Sequence, residues 1–96
     1  METAVKPQSF VNRKAPGYAS IYANNVAYNT NAFDFTIIFG EVDEFNPQTN
    51  EVTIDQKVKV LMAPVQAKLL RDALVKAVAD YEEKFGEVLD VNSIQK

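Results

Sequence analysis

The sequence predicts an α+β fold of order β-β-β-α: a three-stranded antiparallel meander followed by one long C-terminal amphipathic helix packed on one sheet face. Three observations carry this. Apolar and polar residues alternate from Phe33 to Phe39 and again from Val52 to Met62, the period of half-buried strands. Turn-forming residues, Asn29-Thr30-Asn31 and Asn46-Pro47, separate the apolar runs. From Pro64 to Phe85 the period becomes helical.

Residues 1–17 mix Pro7, Pro16 and Gly17 with polar residues and cannot supply a core of their own, so they read as an N-terminal arm. Phe10 and Val11 are expected to anchor that arm, on the same domain or on a neighbouring subunit. Residues 18–88 form the single predicted domain, and 89–96 a tail. The first strand is expected from Tyr18 to Tyr28, where Tyr18, Ile21, Tyr22, Val26 and Tyr28 favour extended backbone, with a bulge or kink at Asn24-Asn25. In the second, Phe33, Phe35, Ile37 and Phe39 are assigned to the core face. Glu44 to Asn50 reads as the loop to the third strand, in which Val52, Ile54, Val58, Val60 and Met62 share one face and Gln56 is its one polar member.

Pro64 lacks the N–H a strand needs and suits the first turn of a helix, and Gly86 is the expected stop. Ala67, Leu70, Leu74, Ala77, Val78, Tyr81 and Phe85 fall in one stripe, with Lys68, Arg71, Asp72, Lys76, Glu82 and Glu83 outside it. Asp72 and Lys76, and Asp80 and Lys84, have the i, i+4 spacing and acid-first order of helix ion pairs. At ~1.5 Å per residue the helix spans ~33 Å, near the ~36 Å of an eleven-residue strand, so one helix matches one sheet face in length.

Tyr22-Ala23-Asn24, Phe33-Asp34-Phe35-Thr36-Ile37-Ile38-Phe39-Gly40, Val58-Lys59-Val60-Leu61-Met62-Ala63-Pro64 and Tyr81-Glu82-Glu83-Lys84-Phe85-Gly86 occur in that order. Together, over residues 18 to 88, they resemble the small bacterial and archaeal proteins of the DUF3467 family, a domain of unknown function. The resemblance implies a common fold and brings no catalytic residues. Ala63 departs from the pattern: such proteins more often carry Ser there, and Ala cannot cap the helix, a loss of ~1 kcal/mol.

Composition narrows the function classes. With 47% hydrophobic and 24% charged residues the chain is globular rather than disordered. Ten basic against thirteen acidic residues give a net charge of −3, and beyond the short arm of Lys6, Arg13 and Lys14 there is no basic stripe, so generic nucleic-acid binding is not expected. No Cys and no His removes thiolate chemistry, disulfides and the commonest general base and metal ligands. Ser9, Ser20 and Ser93 therefore lack a His to activate them, and three glycines make no phosphate loop. Asp43, Glu44 and Glu51 lack the spacing of a Ca²⁺ loop, and Asp80, Glu82 and Glu83 read as a solvated helix face. No catalytic residue, cofactor or metal is assigned; no membrane span or leader is expected, and the location expected is cytoplasmic.

The surplus of apolar residues points elsewhere. Ile21, Ile38 and Val42 fall on the second face of the sheet, and Leu69 and Val75 off the helix stripe. With Phe10, Val11 and Tyr22 they are the candidate interface. The expected function is a non-enzymatic, self-associating structural or interaction module, a homodimer or larger assembly joined by edge pairing or by an exchanged arm. The alternative is a chaperone-like module that binds extended peptides at a sheet edge or in an aromatic groove. A small enzyme is the third and weakest reading. Leu74→Asp is expected to unfold the domain or prevent assembly.

Overall fold

The computed structural model describes residues 7–89, so Lys6 and the rest of residues 1–6, and residues 90–96 including Ser93, lie outside the described residues. The element order is β1 (Asn25–Thr30), β2 (Phe35–Asn46), β3 (Glu51–Met62) and α1 (Pro64–Phe85). The strands form one antiparallel sheet of order β1-β2-β3, as the sequence predicts.

Each boundary has a local cause. β1 ends at a turn in which the Asn31 side-chain oxygen accepts from the N–H groups of Phe33 (2.7 Å) and Asp34 (3.0 Å). Phe33 therefore sits in the turn, exposed, and not on the core face assigned to it. The β2–β3 hairpin closes through Pro47–Asn50, with Asn46 Oδ1 accepting from Gln48 N at 2.9 Å and Asn50 at φ 59°. Strand pairing thus runs through Glu44, Phe45 and Asn46, which the sequence placed in a loop. Pro64 opens the helix next to Ala63, whose side chain caps nothing, and Gly86 closes it at φ 100° with its N–H donating to Glu82 O at 2.9 Å.

The first strand is much shorter than the expected Tyr18–Tyr28, because β2 offers it a regular edge only from Phe35 to Gly40. At the limit of pairing Asn24 N donates to Gly40 O (3.0 Å), and the Asn24 side-chain oxygen takes the next free N–H, that of Val42, at 2.9 Å. Upstream, Tyr18–Ala23 has no strand partner. The chain bends at Asn24, where a kink is expected, and two further irregularities lie between β2 and β3. Phe39 opposes Val58 while Gly40 opposes Gln56, leaving Lys57 as the inserted residue; Val42 opposes Ile54 while Glu44 opposes Thr53, leaving Asp43. A slip of one residue changes the face that follows, so Ile54, paired with Val42, leaves the face of Val58, and the single inner face predicted for the third strand is broken.

Up to the first bulge the face is regular. Tyr28, Ile37 and Val60 lie side by side, flanked by the rows Val26–Phe39–Val58 and Thr30–Phe35–Met62. The helix runs along this face but does not close on it: no helix residue is buried, and only Ala67, Leu70 and Glu82 are half-buried. The end-to-end cover expected from the matched lengths is therefore not made within one chain. The sheet residues that face the helix are Val26, Tyr28, Phe35 and Ile37, all before the first bulge.

The outcome is an extended molecule of 76 × 34 × 29 Å with a radius of gyration of 19.2 Å. A compact chain of this length has about 12.5 Å. It exposes 9233 Å², against about 5,500 Å² for a compact monomer of its mass. Among the described residues no hydrophobic side chain is buried, and Gly40 is the one buried residue.

Candidate interaction surface

The space between helix and sheet is an apolar groove of about 720 Å³. Its sheet wall is Val26, Tyr28, Phe35 and Ile37; its helix wall runs from Ala67 and Leu70 through Leu74, Val75 and Val78. Where the helix starts, Phe35, Pro64 and Ala67 come together, and from there the walls part. Tyr28 is 80% exposed, Leu74 53% and Val75 67%. The volume is that of a small-molecule pocket, but such pockets bury their ligand and aim several polar groups at it, whereas this is an open trough of mostly apolar side chains.

The helix wall corrects the predicted stripe at three points. Val75, placed outside it, lines the groove; so do Arg71 and Glu82, assigned to the solvated face. Tyr81 and Phe85 instead stack on one another beyond the groove, with ring centroids 4.9 Å apart at 43°. Both belong to the predicted stripe, whereas the sheet is met by the first turns of the helix, where Ala67 and Leu70 are half-buried. The signal that locates the true face is the spacing of Arg71 and Glu82: eleven residues apart, they return to within about 20° of one another.

The other candidate interface residues are dispersed. Phe10 and Val11 project on the arm, 82% and 88% exposed, so neither anchors it to its own chain. The arm holds a turn at Pro16-Gly17, with Gly17 at φ 87° and Tyr18 N donating to Ala15 O, and Lys14 Nζ lies 5.4 Å from the Tyr18 ring centre. Ile21 and Tyr22 lie in the segment leading to β1, both exposed. Ile38 is half-buried on the far sheet face beside Ala27 and Lys59, and Val42 lies beyond the first bulge opposite Ile54. Leu69 is exposed on the helix and does not line the groove.

The polar contacts among the described residues hold structure in place. The inserted Lys57 spans the bulge, its Nζ donating to Glu41 Oε1 at 2.7 Å and to the Tyr22 carbonyl at 3.0 Å. Arg71 Nε and Nη2 both donate to Asp72 Oδ1, at 2.9 and 2.7 Å. These are the ion pairs among the described residues; the predicted Asp72–Lys76 and Asp80–Lys84 pairs do not form, Asp72 being taken by its neighbour. Asp43, Glu44 and Glu51 do not gather into a metal-binding group among the described residues. Nor is any helix among them long and apolar enough to cross a membrane.

No curated protein and no solved structure matches the chain. A family model described as a protein of unknown function, DUF3467, matches residues 2–90. That span takes in all three strands, the helix and both walls of the groove, and the chain belongs to the DUF3467 family.

Proposed function

We propose that the chain is a non-enzymatic, self-associating structural or interaction module whose working form is a homodimer or larger assembly in the cytoplasm. The observation that carries this is the missing core: among the described residues every large hydrophobic side chain keeps contact with solvent. A domain of this size is stable by only about 5–15 kcal/mol, a small difference in which buried apolar surface is the dominant favourable contribution. A chain that buries so little acquires its core from another chain, and the groove between helix and sheet offers an open apolar surface for that.

Size-exclusion chromatography with light scattering is the test. A dimer or larger species is expected at micromolar concentration, and Leu74→Asp, which puts a carboxylate in the groove, should yield monomer or unfolded chain. A cooperatively folded wild-type monomer at that concentration would overturn the proposal.

Peptide capture by β-augmentation is a second reading, favoured by the outer edge of β3, which among the described residues has no strand partner along its 12 residues. It requires the β3 amides to gain protection from hydrogen exchange when an unfolded polypeptide is added. Unchanged exchange there excludes it.

A further inference from the structure

We infer that the groove is filled by the helix of a second copy, paired antiparallel about a twofold axis that passes beside α1 at the level between Lys76 and Ala77. The inference rests on the self-association proposed above and specifies its geometry. Of the eight helix residues that line the groove, six, Arg71, Leu74, Val75, Val78, Ala79 and Glu82, are spaced symmetrically about that point, while Ala67 and Leu70 extend the wall toward the helix start. The two outermost of the six have opposite charge, and the four between them are apolar. A helix with this arrangement complements itself only when the second copy runs in the opposite direction, because each Arg71 then meets the second copy's Glu82. Parallel pairing would set Arg71 against Arg71 and Glu82 against Glu82.

The twofold relation also fits the apolar residues. In an antiparallel pair, residues on the same flank of the shared face come together. Leu74 of one copy then packs on Val78 of the other, and Val75 on Ala79. These are small and medium side chains, with no aromatic ring between the helices, so the axes can approach to within the ~8–10 Å usual for packed helices. The face is already turned the right way, because the same residues look into the groove above Val26 and Tyr28. A helix entering there contacts the first helix and the sheet at once. It covers Tyr28 and Val75, two of the more exposed groove residues.

Neither charged residue is committed elsewhere in a way that opposes this. Arg71 pairs with the adjacent Asp72 at side-chain exposures of 63% and 57%, a contact that contributes little and gives way to a better-placed carboxylate. Glu82 is half-buried on the groove side, with Oε2 accepting from Val88 N at 2.8 Å, so its carboxylate is held at the groove wall. An antiparallel dimer has two Arg71–Glu82 contacts, and a single substitution therefore alters both.

The test is a charge exchange read by the dimer dissociation constant in analytical ultracentrifugation. Arg71→Glu and Glu82→Arg are each expected to weaken the dimer by about tenfold or more, since each sets like charges together at two positions. The combined variant R71E/E82R restores the wild-type constant within about threefold. Mixing the two single variants restores dimer as a heterodimer, which shows that neither has failed to fold. Single variants that dimerise like wild type, or a combined variant that is not restored, overturn antiparallel pairing while leaving self-association standing. A monomeric wild type overturns both.

Discussion

Gly40 is where the sheet depends on one atom. A Cβ there would lie 2.7 Å from Asp55 O and 3.0 Å from Ile54 Cγ2, and the first of these is backbone that cannot swing aside. The bulge at Lys57 draws β3 in against β2 at this point, and Lys57 then bridges Glu41 and Tyr22 O over the same spot. Gly40→Ala should therefore cost about 1–3 kcal/mol by forcing the strands apart. Denaturant unfolding at fixed protein concentration measures it, and a midpoint equal to wild type would show that the bulge yields freely. Asn24 acts beside it, its side-chain oxygen taking the N–H of Val42 that a longer first strand would have paired.

The helix has a clear stop and an incomplete start. Gly86 accepts the positive φ that ends it, but Ala63 offers no side-chain oxygen to the free N–H groups of the first turn, and that turn carries no acidic residue. Ala63→Ser supplies the missing acceptor at a position whose backbone is already extended, φ −63° and ψ 149°, as a cap requires. A gain of about 1 kcal/mol in unfolding free energy is expected. Loss of stability instead would mean that the Ala63 methyl group makes a packing contact in the assembly. The helix boundaries were legible because proline, glycine and a 3.6-residue period act within a few residues of themselves. Which helix face matters was less so: Arg71, Val75 and Glu82 enter the groove only because the helix meets the sheet at its first turns.

For the molecule as a whole, the proposed self-association joins folding and association in one process. If two copies share the core, the unfolding midpoint depends on concentration, because dissociation and unfolding are linked by mass action. Raising the chain concentration a hundredfold should raise the midpoint by several degrees in calorimetry, given about 2.7 kcal/mol of added stability per mole of dimer. A midpoint independent of concentration would mean that each chain folds alone. In the same extended form Phe10 and Val11 of the arm stand in solvent.

The order β-β-β-α, the helix limits, the turns and the family were set by local rules that the sequence states directly: alternation with period two, helical periodicity, and Pro, Gly and Asn at the breaks. The strand lengths, the two bulges and the groove were decided by the tertiary structure. A strand extends only as far as its neighbour offers hydrogen bonds, so Tyr18–Ala23 lost its place and Glu44–Asn46 gained one. A bulge comes from the mismatch of two strands, which neither strand carries alone. Whether an apolar stripe is covered depends on how the helix meets the sheet, and here they part, leaving open the surface on which the proposed function rests.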